Sequence, residues 1–63
     1  MEIDIDELVD DIAKQADLDF YEADMLLHDI NNLRGDEWIE IIEEYCEEET
    51  KNQFFELIRR NNK

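Results

Sequence analysis

Residues 35–49 read Gly-Asp-Glu-Trp-Ile-Glu-Ile-Ile-Glu-Glu-Tyr-Cys-Glu-Glu-Glu, and most of the predicted fold follows from this stretch. At 3.6 residues per turn, its side chains separate onto two faces of one helix. The apolar face carries Trp38, Ile39, Ile41, Ile42, Tyr45 and Cys46. The acidic face carries Glu37, Glu40, Glu44, Glu47 and Glu48. We predict a rigid helix over residues 37–48, capped by Asp36, along which the carboxylates repeat about every 5–6 Å.

The most regular apolar spacing lies near the start of the chain. Residues 5, 8, 9, 12, 13 and 16 are apolar, and this i, i+3, i+4, i+7 spacing predicts a core-facing helix over residues 5–16. Asp4 is the predicted N-cap, and Glu7 three residues later completes a capping box. Ile3 is placed to pack against Leu8 across this helix start.

A second helix is predicted over residues 20–32. Asp19 and Glu22 repeat the capping-box spacing at its start. Its apolar face is predicted to contain Phe20, Ala23, Met25, Leu26, Leu27 and Ile30. His28 is predicted to have a structural role near the end of the helix, where it interacts with the helix dipole. Gly35 is expected to adopt a left-handed conformation just after this helix.

The final helix is predicted over residues 51–60. Its apolar side chains are Phe54, Phe55, Leu57 and Ile58. Thr50 is the predicted N-cap, because Gln53 follows three residues later and residues 47–53 contain no apolar side chain. One continuous helix over residues 36–60 is the alternative, since apolar and small side chains keep an i+4 register across the proposed break.

The composition favours helices. The 63 residues include one Gly and no Pro, which leaves few breakers for the tight turns of an all-β fold. Short connections between amphipathic helices imply antiparallel neighbours. We therefore predict an all-α bundle of three to four helices that forms one acidic domain over residues 1–63.

The charge and the cysteine content restrict the partners and the setting. The net charge is −14, from 20 acidic and 6 basic side chains. Nucleic acids and anionic lipids carry the same sign, so the partner should be a basic protein rather than a nucleic acid or a membrane. The single Cys cannot form an intramolecular disulfide, which fits a reducing, cytoplasmic setting. The chain lacks a signal-peptide pattern and any apolar run near the roughly 20 residues that span a bilayer, so we expect a soluble protein.

No residue pattern points to catalysis, a metal or a cofactor. Residues 17–22 lack the Gly and most of the ligands of a calcium-binding loop. The only His, His28, has Met25 rather than Glu three residues before it, so the Glu-x-x-His motif of di-iron bundles is missing. Cys46 continues the apolar face, and acidic surroundings disfavour its thiolate. We therefore expect a protein that is not an enzyme and that holds no cofactor or metal.

Four aromatic side chains are predicted to lie in the core or at a dimer seam, and these are Trp38, Tyr45, Phe54 and Phe55. A bundle of this size cannot bury all four fully, so at least one should be exposed as a partner contact. The carboxylates either solvate the surface or replace the phosphates of a nucleic acid in the basic channel of a target, and both interpretations remain open. The predicted partner-binding residues are Asp6, Asp10, Glu37, Glu40, Glu44, Glu47, Glu48 and Trp38.

Residues 6–23 read Asp-Glu-Leu-Val-Asp-Asp-Ile-Ala-Lys-Gln-Ala-Asp-Leu-Asp-Phe-Tyr-Glu-Ala. With the residues up to 30, this stretch resembles the amino-terminal helical hairpin of HU-type DNA-bending proteins. Their pattern is a Leu-Ile/Val pair, then Ile-Ala, then Ala-x-Leu, then a helix with Ala in its first turn. The resemblance implies a helical hairpin and a dimerising habit, without DNA binding, because the β-sheet and basic arms of that family have no counterpart in this sequence.

The very short, acidic, helical and cysteine-poor chain also resembles the phage-encoded inhibitors of bacterial defence. These include anti-CRISPR and anti-restriction proteins, many of which mimic nucleic acid. The resemblance implies an inhibitor that blocks a basic nucleic-acid-binding surface in the cytosol of a bacterial host. The alternative is an interaction or assembly module that packs an apolar stripe against a partner helix. Both functions leave open that the bundle is a homodimer. The stripe would be either Trp38, Ile42 and Tyr45 or Phe54, Phe55 and Ile58.

Overall fold

The computed structural model describes the backbone of residues 3–61 and the side chains of residues 3–60. Within these residues the chain forms four α-helices and one short 3-10 helix, with no strand. The α-helices are α1 (Ile5–Gln15), α2 (Phe20–Asn31), α3 (Ile39–Tyr45) and α4 (Glu48–Asn61), and the 3-10 helix is Asp36–Trp38. The predicted all-α bundle of three to four helices is confirmed.

The first two helices begin at their predicted N-caps. The Asp4 carboxylate accepts hydrogen bonds from the backbone N–H groups of Asp6 at 3.1 Å and Glu7 at 3.3 Å. The Asp19 carboxylate accepts from the N–H of Glu22 at 2.8 Å, and the Glu22 carboxylate accepts from the N–H of Asp19 at 3.4 Å. These bonds satisfy donors that have no partner inside the helix. The capping box is therefore complete at α2. At α1 only the Asp4 half is present among the described bonds, so the predicted box with Glu7 is not complete.

Helix α2 ends in a left-handed turn, but at a different residue from the one predicted. Leu33 has a φ of 60°, and the N–H of Arg34 returns to the carbonyl oxygen of Asp29 at 2.7 Å. This is the Schellman pattern, which gives partners to the last free carbonyl groups of a helix. Asp17 takes the same left-handed conformation after α1, with a φ of 53°. The prediction for Gly35 is wrong, because Leu33 makes the turn two residues earlier.

Gly35 is needed for packing rather than for its conformational freedom. Its φ of −158° is negative, so the position does not use the left-handed conformation that favours glycine. A Cβ atom at this position would lie 2.7 Å from Cδ1 of Ile58 and 2.8 Å from Cζ of Phe54. The loop after α2 therefore lies directly against α4, and only a residue without a side chain fits there.

The long helix predicted over residues 37–48 is wrong in its length. The chain makes the 3-10 turn first, continues as α3, and leaves the helix at Cys46, whose φ of −94° and ψ of 151° are extended. Asp36 begins the 3-10 helix, but no side-chain hydrogen bond caps that helix. The break before the last helix is confirmed, and one continuous helix over residues 36–60 is excluded.

Helix α4 begins at Glu48, before the predicted start at residue 51, because a side chain of α1 supplies its cap. Oε1 of Gln15 accepts a hydrogen bond from the N–H of Glu47 at 2.6 Å. Nε2 of the same amide donates to Oγ1 of Thr50 at 3.0 Å. Thr50 is therefore wrong as the N-cap and is instead a buried residue in the first turn. The cap comes from 32 residues away in sequence, which no local pattern indicates.

Buried apolar side chains from every helix form one core. They are Leu8, Val9, Ile12, Leu26, Ile30, Trp38, Ile42, Phe54, Leu57 and Ile58. Helix α1 packs against both α2 and α4, so the helical hairpin expected near the start of the chain is present. No helix in the described part of the chain has both the length and the apolar character needed to cross a membrane.

Candidate partner-binding surface

Carboxylates dominate the described surface. Residues 3–60 contain 19 Asp and Glu side chains, of which 18 are exposed. The exception is Asp29, which is partly buried and accepts a hydrogen bond from Nε1 of Trp38 at 2.8 Å. Asp29 therefore has a structural role, and the other 18 carboxylates are accessible to solvent or to a partner.

The acidic row predicted over residues 37–48 is divided among several elements. Its exposed members are Glu37, Glu40, Glu44, Glu47 and Glu48. The first lies in the 3-10 helix, the next two lie one turn apart on α3, and the last two lie at the start of α4. The α3 pair repeats at about 6 Å along the helix axis. A rigid row over the whole stretch is wrong, because α3 ends at Tyr45.

The two predicted carboxylates of α1 have different surroundings. Asp6 and Asp10 are exposed and lie one turn apart. Asp10 forms an ion pair of 3.0 Å with Nζ of Lys14, and this hydrogen bond and charge raise the pKa of Lys14. Asp10 is thus partly balanced within the chain. The hydrogen bond from the Glu47 N–H to Gln15 brings the end of α1 beside the start of α4, where Glu47 and Glu48 lie.

Few exposed carboxylates have a basic neighbour. Between described residues, the ion pairs are Lys14–Asp10 and Arg60–Glu56, each one helical turn apart and exposed. Exposed pairs of this kind add little to stability, because water and salt screen them. The carboxylates of α3 form no ion pair with a described residue, and they are Glu40, Glu43 and Glu44. Among the residues that the structure describes, no ion pair balances the negative charge of α3.

Trp38 does not offer its ring to a partner, in contrast to the prediction. Its side chain is 6% exposed, and its only polar group donates to Asp29. A buried indole N–H needs such an acceptor, so this bond fixes the 3-10 turn against α2. Phe54 is buried and packs edge-to-face on the partly buried Phe55, with ring centroids 5.7 Å apart. Tyr45 is the exposed aromatic of the predicted four, at 56%, which confirms that one of them remains accessible.

Sequence reasoning missed a second exposed feature, on α2. Phe20 and Met25 were predicted to face the core, but they are 86% and 55% exposed, and Tyr21 between them is 81% exposed. The core side of α2 is set by the buried Leu26 and Ile30. The missed signal was that Met25, Leu26 and Leu27 are consecutive, so a helix cannot turn all three inward.

Cys46 and His28 are two further side chains with titratable groups. Cys46 is partly buried, and this burial raises the pKa of its thiol and disfavours the thiolate. His28 is exposed, and its backbone carbonyl accepts a hydrogen bond from Asn32 at 2.8 Å. Among the described residues, no group of three or more His, Cys, Asp or Glu side chains is arranged to hold a metal ion.

An open groove of about 540 Å³ along α1 and α4 is lined partly by carboxylates.

Comparisons with known proteins do not indicate a function for this surface. Comparisons with protein-family models, curated proteins and solved structures give no significant match. Two physical features of the described surface remain: the large excess of exposed carboxylates, and the apolar side chains on the outer side of α2. Both are suited to contact with another protein.

Proposed function

We propose that this protein is a non-enzymatic binding protein that occupies a basic nucleic-acid-binding surface of another protein. The observation that carries the proposal is the set of 18 exposed carboxylates, with no ion pair on α3 to a described residue. A surface that served only solubility would mix both charge signs at lower electrostatic cost. The net charge of −14 attracts surfaces rich in Lys and Arg and repels nucleic acid.

The dimensions of the molecule suit such a competitor. Its longest Cα extent is 31 Å, which equals about nine base-pair steps at 3.4 Å each. Glu40 and Glu44 lie about 6 Å apart along α3, whereas one strand carries a phosphate about every 3.4 Å of axis. The pair therefore matches about every second phosphate. Further contacts have to come from carboxylates on other elements, such as Asp6 on α1 or Glu48 on α4.

Inhibition would follow from competition for the same cations. When the Lys and Arg side chains of a target pair with these carboxylates, they are no longer available to phosphates. Such binding weakens steeply with salt, because it depends on exposed charges. An anti-defence role in a bacterial host cytosol is the setting that the likeness to phage inhibitors suggests.

The alternative function, an assembly module acting through an apolar stripe, loses most of its proposed surface. Four of the six stripe residues are buried, and they are Trp38, Ile42, Phe54 and Ile58. Phe55 is partly buried, which leaves Tyr45 as the exposed member. Those side chains hold the bundle together and are not available to a partner helix.

The test is capture of proteins from a bacterial lysate on the immobilised protein, followed by elution with double-stranded DNA, with transfer RNA or with salt. We expect the captured proteins to be nucleic-acid-binding proteins that nucleic acid releases, because both ligands compete for one basic surface. Capture should decline steeply from low to moderate salt. Captured proteins that nucleic acid does not release, or capture that survives high salt, would refute the proposal.

Two variants with the same change in net charge test the acidic face. The first carries Glu40→Lys, Glu44→Lys and Glu47→Lys, and the control carries Asp11→Lys, Glu49→Lys and Glu56→Lys. All six side chains are exposed, so both variants should keep the helical circular dichroism of the parent. The first variant should lose capture and the control should keep most of it. Equal losses would mean that total charge matters and the face does not.

A further inference from the structure

Three apolar side chains in the first half of α2 are exposed, and together they are named here the α2 patch: Phe20, Tyr21 and Met25. Their exposed fractions are 86%, 81% and 55%. At about 100° per residue, Phe20 lies about 140° around the helix from Met25. Single exposed apolar side chains are common on protein surfaces, but two neighbouring aromatic rings and a Met within six residues are a concentration of apolar surface. Aromatic and Met side chains are enriched at the centres of protein interfaces.

The fold does not need these three side chains. Leu26 and Ile30 anchor α2 in the core, and Ala23 and Leu27 are partly buried beside them. At 3.6 residues per turn, Tyr21 and Met25 lie one turn apart on the side of the helix away from these anchors. Their exposure is therefore a property of the outer surface and not a defect of core packing.

Four exposed carboxylates lie within three residues of the α2 patch in sequence, and they decide what can cover it. They are Asp17, Asp19, Glu22 and Asp24. A second copy of the chain would bring another net charge of −14 against this one. An anionic lipid surface carries the same sign, so it is repelled as well. A cationic partner is attracted by the carboxylates and can also cover the apolar side chains.

We propose that the α2 patch is a docking site for a protein segment that presents apolar side chains flanked by Lys or Arg. The apolar side chains cover Phe20, Tyr21 and Met25, and the cations pair with these carboxylates. This inference rests on the proposed function for the basic character of the partner. It adds a second part of the contact, on α2, and it adds that apolar complementarity selects among basic proteins.

The experiment uses the whole ¹⁵N-labelled protein and three synthetic peptides. The first peptide is an amphipathic helix with Leu on one face and Lys on the other. The second has the same number of Lys residues and Ser in place of Leu, and the third has Leu with Glu in place of Lys. We expect the first peptide to bind with amide shifts centred on residues 20–25, the second to bind about tenfold more weakly, and the third not to bind.

Two variants locate the contact on the protein. Tyr21→Ala with Met25→Ala should weaken the first peptide about tenfold and leave the second within about twofold. Tyr45→Ala is the matched control, because it removes an exposed aromatic ring outside the α2 patch. That control should change the binding of neither peptide. All these positions are exposed, so circular dichroism and melting should remain close to those of the parent.

The opposite results would overturn the inference. Equal binding of the Leu and Ser peptides, shifts centred on another helix, or an unaffected double variant would each remove the α2 patch from the contact. Concentration-dependent dimers that the double variant abolishes would assign this face to a second copy. These failures leave the nucleic-acid competition in the lysate experiment intact, whereas loss of that competition refutes the proposed function itself.

Discussion

Replacing Gly35 with alanine should destabilise the fold by adding a methyl group where α4 leaves no room for one. The new Cβ would lie 2.7 Å from Cδ1 of Ile58, 3.1 Å from Cγ1 of the same residue and 2.8 Å from Cζ of Phe54. The φ of −158° at Gly35 is negative, so alanine does not meet the steric penalty of the left-handed region there. The effect is therefore one of packing. Phe54 is fully buried, so its ring cannot move aside into solvent.

Two opposing terms set the magnitude. Overpacking a buried site costs about 1–3 kcal/mol. Replacing Gly with Ala also restricts the unfolded chain, which stabilises the fold by about 0.4–1 kcal/mol. The midpoints give a net loss of about 1.3 kcal/mol. For a domain of this size, that loss lowers the melting temperature by roughly 5–10 °C.

Thermal and urea unfolding followed by circular dichroism measure the change, and a second substitution checks its cause. Ile58→Val removes the Cδ1 atom that lies nearest to the added methyl group. On its own it should cost about 0.5–1.5 kcal/mol. In the Gly35→Ala background it should cost less, because it relieves part of the overlap. An alanine variant as stable as the parent, or fully additive effects, would show that the loop after α2 does not lie against α4.

Three further outcomes follow from the structure. Gln15→Ala removes both hydrogen bonds at the start of α4 and should lower the free energy of unfolding in urea by about 1–2 kcal/mol. Gln15→Glu keeps an acceptor for the Glu47 N–H and should lower it less. An unchanged urea midpoint for the alanine variant would contradict this cap. Moderate salt should raise the melting temperature, because it screens the repulsion between the carboxylates that give the net charge of −14. A melting temperature that stays flat or falls would argue against that repulsion. Burial raises the pKa of the Cys46 thiol. The neutral thiol therefore contributes its full stabilisation below the ordinary thiol pKa, and this stabilisation is lost as pH rises through the pKa of the folded protein. Iodoacetamide should therefore alkylate the folded protein more slowly than the urea-unfolded protein at mildly alkaline pH, and equal rates would contradict the burial.

The helices that could be predicted are those whose signals are local. The start of α1 follows from Asp4 and the apolar spacing after it, and the start of α2 follows from the pair Asp19 and Glu22. Each of these signals lies within a few residues of the element that it specifies. The break before α4 was also visible, because residues 47–53 contain no apolar side chain.

The misplaced boundaries depend on contacts between distant residues. The start of α4 is fixed by Gln15, which sequence inspection cannot connect to Glu47. Leu33 holds the left-handed position although a leucine is not favoured there, and the nearby glycine is required by contact with α4 instead. Both outcomes are set by tertiary packing, which overrides the local preference of the residue.

The candidate surface could be predicted in its charge but not in its apolar part. Carboxylates are almost never buried unpaired, so the exposure of Glu40 and Glu44 followed from their chemistry. The exposure of Phe20 and Met25 did not, because an apolar residue beside a core face can point either way. Trp38 was predicted both as a core aromatic and as a partner contact, and its burial and its hydrogen bond to Asp29 place it in the core.

In the proposed function, the acidic surface and a nucleic acid compete for one basic surface on a target. The most direct measurement is equilibrium binding of a captured target to this protein while that target's own nucleic acid is titrated in. Mutual exclusion is predicted, with an apparent affinity that falls as nucleic acid increases and with no ternary complex on gel filtration. A stable complex that contains the target, its nucleic acid and this protein together would contradict the claim.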